Sequence, residues 1–367
     1  MAERRNVKAT ITEVAKLAGV STATAGRVLG GYGYSSEAIR EKVRASAEQL
    51  GYRPNLLARG LITGKTRTIG VVAGDIQSPF YASVLRGIAD VARSQGFGVL
   101  VTNSDETLAL ELEAVQLLME KQVDGLIVSP CDTRRAKHLR RVIEDGCPIV
   151  QIDRVVKGLA ADSVAVNNRA AARACVEQLI SAGHRRIAMI AELMRWESGD
   201  VATFIDRVGS GALESRFLYP SWQRLFGYVE AHLAAEIAID LTLIGRVGAY
   251  SRPAARTQAM NLLSRAERPS ALFAADGLMS AGAMDAITAC GLRIPEDLSL
   301  IGFDDLDWMS FMKPGVTAVV QPLMSMGEIA ARLMLDRISS RDGPIQHVTL
   351  ETSLAKRGSV GAPGFVS

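Results

Sequence analysis

The chain has 367 residues, 48% of them apolar and 22% charged, with a formal net charge of +3. That length exceeds what one hydrophobic core usually serves, and the composition is that of an ordered globular protein, not a disordered one. No apolar run is long enough to span a bilayer, and Glu3, Arg4, Arg5, Lys8 and Glu13 leave no room for an export signal. No membrane partner and a cytoplasmic location are therefore expected.

Charge is distributed unevenly. Residues 1–67 hold twelve Lys/Arg against five Asp/Glu, leaving thirty against thirty-four in the rest. A basic head on a mildly acidic body suits contact with a polyanion. Cys131, Cys147, Cys175 and Cys290 are scattered without the close pairs that metal sites favour. They read as buried free thiols, with two disulfides as the alternative.

In chain order, Thr10–Gly19 predicts a short helix. Thr10 and Glu13 form a capping box, Val14, Ala15, Leu17 and Ala18 form the apolar face, and Gly19 ends it. Ser21 caps a second helix through Leu29, in which Ala25, Val28 and Leu29 face the first. Thr22, Ala23, Gly26 and Arg27 then fall on the opposite face. The small residues Ala15 and Gly19 allow close crossing, the geometry of a helix-turn-helix whose second helix enters the major groove. A third helix from about Ser36 to Leu50 closes the core with Ile39, Val43, Ala47 and Leu50. The stretch Arg53–Leu61 offers about two further turns, too short to be stable alone in water.

From Thr68 onward strand-like and helix-like stretches alternate. Ile69–Ala73, Val99–Thr102, Gly125–Ser129, Ile149–Ile152, Ile187–Ala191, Ala271–Ala274 and Leu298–Phe303 read as strands, with helices at about 82–95, 107–121 and 134–145. This rhythm predicts parallel sheet covered on both faces, and its length predicts two lobes. Ligands of such sheets sit beyond the carboxyl ends of the strands. That rule selects Asp75 and Phe80, Asp153 and Arg154, Asp276, and Asp304. Neither a dinucleotide fingerprint nor a phosphate-binding loop occurs, since Gly209-Ser210-Gly211 lacks a third glycine at the right spacing. His138, His184, His232 and His347 show no metal-ligand or triad spacing and read as surface or packing residues. No catalytic residue, metal or cofactor is expected.

Several motifs resemble the LacI (lactose-repressor) family. They are Thr-Ile-Thr-Glu-Val-Ala-Lys-Leu-Ala-Gly-Val-Ser (10–21), Arg-Val-Leu (27–29), Leu-Gly-Tyr-Arg-Pro-Asn-Leu-Leu-Ala-Arg (50–59) and Gly-Lys-Thr-Arg-Thr-Ile-Gly-Val-Val (64–72). In the body, Gln-Ser-Pro-Phe-Tyr (77–81), Val-Asp-Gly-Leu-Ile-Val (123–128), Gly-His-Arg-Arg-Ile-Ala (183–188) and Ser-Leu-Ile-Gly-Phe-Asp-Asp (299–305) continue the likeness to about Arg357. The resemblance implies a helix-turn-helix head over residues 1–53, a hinge helix and linker over 54–67, and a two-lobed body over 68–357. The body is similar to periplasmic binding proteins, each lobe a doubly wound parallel sheet, with a tail at 358–367. The first lobe is expected at about 68–166 and 322–342, the second at about 167–321 and 343–357.

The same resemblance makes Thr22, Ala23 and Arg27 base-reading residues, Arg27 by pairing with guanine O6 and N7. It places Leu61 in the minor groove as a wedge, with Asn55, Leu57 and Ala58 beside it in the hinge. In the body it assigns Phe80, Asp153, Arg154, Arg224, Asp276 and Asp304 to a cleft for a small-molecule effector. Carboxylates, guanidiniums and aromatic rings suit a sugar or sugar acid. The implied partners are double-stranded DNA bearing a near-palindromic operator, the effector, and a second copy of the chain. The implied function is a transcriptional regulator, read as a repressor, and not an enzyme. A transporter's binding receptor and a small-molecule enzyme are the competing classes.

Three departures from the family pattern stand out. Ala25-Gly26 replaces the usual Val-Ser before the arginine, and a mid-helix glycine costs about 1 kcal/mol relative to alanine. Asp276-Gly277 stands where Asn-Asp is common, exchanging a donor-capable amide for an acceptor. Residues 192–222, with Arg195, Trp196, Phe217, Tyr219 and Trp222, form a longer stretch than usual, read as a surface excursion, a changed cleft rim or a dimer contact.

Overall fold

The computed structural model describes residues 9–31, 33–52, 65–194, 200–340 and 342–364. The chain divides into two units, Met1–Thr68 with Gln122–Asp124, and the remainder. The expected hinge helix, with Asn55, Leu57, Ala58 and Leu61, lies outside the described residues, as do Arg195 and Trp196.

In the first unit, helix α1 (Ile11–Ala18) begins where Thr10 and Glu13 cap each other. The Thr10 N–H donates to Glu13 Oε2 at 2.7 Å, and the Glu13 N–H donates to Thr10 Oγ1 at 3.4 Å. Gly19 ends α1 with φ +67°, the left-handed turn that glycine adopts without a Cβ penalty. Helix α2 (Thr22–Gly30) starts at Ser21, whose Oγ accepts from the Thr24 N–H at 3.1 Å. Helix α3 (Glu37–Gln49) packs across both.

The small core holds Val14, Ala15, Ala25, Val28, Val43 and Ala47, with Leu29 and Ile39 partly buried against it. Burying each valine contributes about 1.5 kcal/mol or more. Two expected core members are outside it, Leu17 at 47% exposure and Leu50 at 37%. Ile11, Val14, Ala15 and Ala18 already complete the inward stripe of α1, and Leu17 lies about 100° round the helix from Ala18. Leu50 is the C-cap residue of α3, past its last full turn.

The second unit contains two six-stranded sheets. The first uses β1 (Thr68–Ala73), β2 (Gly98–Asn103), β3 (Gly125–Val128), β4 (Ile149–Ile152), β5 (Asp162–Val166) and β11 (His347–Leu350), in the order β11-β5-β4-β3-β1-β2. The second uses β6 (Ile187–Ala191), β7 (Ile244–Arg246), β8 (Ala271–Ala274), β9 (Ser299–Phe303), β10 (Thr317–Val320) and β12 (Ser353–Ala355), in the order β12-β10-β9-β8-β6-β7. The central pairs are parallel, such as Val71 opposite Ile127 and Phe273 opposite Ile301, while β12 runs antiparallel to β10. Buried on both sides, these strands read as continuous apolar runs such as Ile-Ala-Met-Ile-Ala.

Helices α4 (Pro79–Ser94), α5 (Leu108–Glu120) and α6 (Lys137–Glu144) belong to the first lobe. The second lobe carries α7 (Asn168–Ser181), α8 (Val201–Gly209), α9 (Pro220–Ala234), α10 (Arg252–Leu263), α11 (Gly277–Ala289) and α12 (Asp307–Phe311). Helix α13 (Leu323–Ser339) returns to pack on α4 and on β3, β4 and β5. The chain thus passes between lobes near residues 167, 321 and 351.

One boundary differs from expectation. The resemblance places residues 343–357 wholly in the second lobe, but His347–Leu350 pairs in parallel with β5 and extends the first sheet. Only Ser353–Ala355 joins the second. The physical cause is the edge of β5, whose unpaired backbone groups the returning strand satisfies. The cysteines are free thiols, three of them buried and Cys290 half-buried. Among the described residues no helix is long and apolar enough to cross a membrane.

Candidate functional site

On α2, Thr22, Ala23 and Arg27 are exposed, Gly26 is half-buried, and Ala25 and Val28 turn inward. The spacing follows from the helical period: burying one face leaves the other for a partner. The Arg27 Nη2 donates to Thr24 Oγ1 at 3.3 Å, an exposed contact that a stronger acceptor could replace.

The body holds a different kind of site. Phe80, Asp153, Arg154, Arg224, Asp276 and Asp304, the six residues expected together from the sequence, line one cleft between the two sheets, and Asp75 joins them. The strand ends bring them there. Asp153 directly follows β4 and Asp304 directly follows β9, and both adopt the left-handed backbone with φ +66° and +64°. This conformation is uncommon outside glycine and costs about 1 kcal/mol or more, so each carboxylate is held by its strand end and not by a free loop.

Arg154 is buried, and its Nη1 and Nη2 donate to Glu106 at 2.5 and 2.8 Å. Its guanidinium lies 4.1 Å from the centre of the Tyr219 ring, while the Tyr219 hydroxyl donates to Glu106 Oε2 at 2.6 Å. Tyr219 comes from the second lobe and Glu106 from the first, so this cluster straps the lobes together. Arg224, on α9, donates through Nε to Asn168 Oδ1 at 2.8 Å and through Nη1 to the Ala275 carbonyl, and stacks 3.7 Å over the Phe303 ring.

Asp276 caps α11 by accepting from the Met279 N–H at 2.8 Å. Burial pushes its carboxyl up to about 7; the Met279 amide and Arg224 oppose the shift, and Asp304 and Glu192 add to it. Burial likewise raises Asp153 against the pull of Arg154 and Arg224, and raises Glu192 against Arg154 and the Ser221 hydroxyl. Asp304 accepts from the Gly277 N–H at 3.1 Å and from the Gln321 side-chain amide.

Sequence reasoning missed Glu106, Glu192, Tyr250 and Gln321, which also line the cleft, and named Tyr219 only within the 192–222 stretch. Glu106 and Glu192 follow strands β2 and β6, so the strand-end rule that found Asp153 applied to them as well. Tyr219 lies in the long 192–222 stretch. That stretch forms part of the cleft rim, to which it supplies Tyr219, while Phe204 and Trp222 pack into the second lobe's core with ring centres 4.9 Å apart.

The four histidines each have a hydrogen-bond partner remote from this cleft's lining. His184 and His232 are buried against Ser270 and the Tyr228 carbonyl, His138 meets Glu111, and His347 meets Ser163. Among the described residues no group of three His, Cys, Asp or Glu side chains could hold a metal ion.

Three family models match the chain. Residues 10–55 match bacterial regulatory proteins of the lacI family, residues 66–213 the periplasmic binding proteins and sugar-binding domain of the LacI family, and residues 176–360 a periplasmic binding protein-like domain. Catabolite control protein A of Priestia megaterium is 32% identical over 89% of this chain and 91% of its own length. A CelR transcriptional regulator in complex with cellobiose is 30% identical, with a TM-score of 0.68 over 96% of this chain and all of that one. The lac repressor dimer bound to operator and an anti-inducer is 25% identical, with a TM-score of 0.80 over 97% of this chain and all of that one. Head, two-lobed body and these full-length likenesses agree: the chain belongs to the LacI family of transcriptional regulators.

Proposed function

We propose that this protein is a repressor that binds a near-palindromic operator as a homodimer and whose operator affinity is set by a carbohydrate-like effector in the interlobe cleft. The observation that carries the reading is the pairing, in one chain, of an exposed polar helix face with a buried polar cleft. Arg27 reads guanine, while Thr22 and Ala23 offer methyl contacts to bases. Asn55, Leu57, Ala58 and Leu61 serve the hinge, with Leu61 as the minor-groove wedge. Phe80, Asp153, Arg154, Arg224, Asp276 and Asp304 hold the effector.

Supporting the dimer, the edge strand β2 exposes Leu100 and Val101, and α5 exposes Leu117, apolar surface that a second copy would cover. The operator-bound lac repressor is itself a dimer, and CelR holds a sugar, which favours the same arrangement here. Action on operator DNA puts the protein in the cytoplasm. The strap from Tyr219 to Glu106 joins the lobes, so a ligand that displaces it changes the angle between them and the spacing of the paired heads. Such coupling is reciprocal.

Selection of duplexes from a random DNA pool by the full-length protein, at fixed salt, tests this reading. One recovered motif with two-fold symmetry is expected. Salt-sensitive general binding alone, both without sugars and with a mixture of them, would overturn it.

A further inference from the structure

The cleft is built for donors, and its charge balance narrows the ligand further. Six carboxylates line it: Asp75, Glu106 and Asp153 from the first lobe, Glu192, Asp276 and Asp304 from the second. Each stands just beyond the carboxyl end of a different strand, so the two lobes contribute three apiece. Among the described residues two guanidiniums, Arg154 and Arg224, oppose them.

Both guanidiniums are already engaged. Arg154 places both terminal nitrogens on Glu106 and one on the Pro130 carbonyl, and its Nε lies 3.2 Å from Asp153 Oδ2, so one positive charge serves two of the acids. Arg224 is held by Asn168 and the Ala275 carbonyl, and its charge bears on Asp153 and Asp276. A second and independent feature points the same way. Gln321, a cleft residue 7% exposed, gives its amide N–H to Asp304, while its buried Oε1 has no hydrogen-bond partner among the described residues. A buried acceptor without a donor is costly and awaits one.

We propose that the cleft selects a hydroxyl-rich ligand carrying a positive charge, an amino sugar or amino polyol, over a neutral sugar or a sugar acid. This rests on the reading of the cleft as the effector site. An ammonium supplies three donors and a compensating charge, where a hydroxyl supplies one donor and none. A sugar acid would bring a further carboxylate among six, and could reach Arg154 only by displacing Glu106. The acids are spread around the cleft and form no metal-holding group among the described residues, which suits an organic cation rather than a metal ion. Burial opposes ionisation of Asp153, Glu192 and Asp276, and a bound cation relieves that opposition.

Calorimetric titration of the full-length protein at pH 7 tests the inference. The probes are D-glucosamine, D-galactosamine and D-mannosamine, each beside its parent hexose and the matching hexuronic acid. One amine is expected to bind at least about tenfold tighter than its parent hexose, since tenfold corresponds to one well-placed charge interaction. The matching uronic acid is expected to bind weaker than both. Asp276→Asn should shrink the amine-to-hexose ratio; asparagine still caps α11, and Glu192→Gln replaces it as the test should Asp276→Asn not fold. A hexose or uronic acid binding as tightly as its amine, or no binding by any of the three amines, would overturn the proposal. The titration needs no DNA, so a neutral-sugar result leaves the regulator reading standing, and a failed duplex selection leaves the ligand preference standing.

Discussion

The helical head and the interlobe cleft place their working side chains in opposite environments. In the head, Thr22, Ala23 and Arg27 stand in solvent on a helix whose other face is buried by Ala25 and Val28. Among the described residues Arg27 has one weak hydrogen bond, to Thr24, so little is lost when it turns to a base edge. In the cleft, Asp153, Arg154, Arg224 and Asp276 are each less than a tenth exposed and are held by other protein groups before any ligand arrives. The head binds by adding contacts to a solvated surface, the cleft by exchanging contacts inside a desolvated one. Substitutions in the head should therefore change affinity with little effect on folding, and substitutions in the cleft should change both.

The sharpest break in that contrast is Arg224→Ala. It leaves Asn168 Oδ1 and the Ala275 carbonyl without their donor and exposes Asp276 to a neighbourhood of acids, Asp304 and Glu192. Loss of about 3 kcal/mol of stability is expected, within the range for removing one member of a buried charged network. Urea unfolding measures it, and a loss below about 1 kcal/mol would mean that the cleft is as tolerant as the head.

Asp276→Asn comes next and carries a pH signature. The folded-state pKa of about 7 lies above the unfolded value near 4, so the folded protein binds the extra proton. Its contribution to stability is complete below about pH 4 and is lost as pH rises to about 7. Arg224, Asp304, Glu192 and Tyr250 face this carboxyl and modulate the size of the change. Asparagine does not titrate, so the variant should gain on the parent protein between pH 4 and pH 7, by on the order of 1–3 kcal/mol. Thermal unfolding across that window reads the gain, and parallel curves at all pH values would count against it.

The smallest effect is expected in the head. Thr10→Ala removes the capping box of α1 and should cost about 1 kcal/mol, seen as faster hydrogen exchange in the α1 amides with no change in the body.

The same contrast decides what was legible in the sequence. Head helices are specified by neighbours: Thr10 with Glu13, Ser21 with Thr24, and Gly19 at a left-handed turn are all within four residues of each other's elements. Leu17 and Leu50 misled because an apolar residue at the margin of a short helix need not be covered. In the body, strands and the residues just after them could be read locally, which is how Asp153, Asp276 and Asp304 were found. The role of Tyr219 was not, because it comes from pairing across the lobes: Tyr219 meets Glu106 across 113 positions. The pairing of β11 with β5 spans a still longer gap, joining His347 to Ser163 across 184 positions. Contacts of such separation leave no periodic trace in the chain.

Coupling between the two regions is the most direct test of the central claim. Fluorescence anisotropy with the selected duplex would give the operator affinity without sugar and with the tightest binder among the nine hexoses, hexosamines and hexuronic acids. Calorimetry would give that sugar's affinity with and without the duplex. A change in operator affinity of about fivefold or more, matched by an equal factor in sugar affinity, is the expected result. A sugar that binds the cleft yet leaves operator affinity unchanged would contradict the claim that the cleft governs the head.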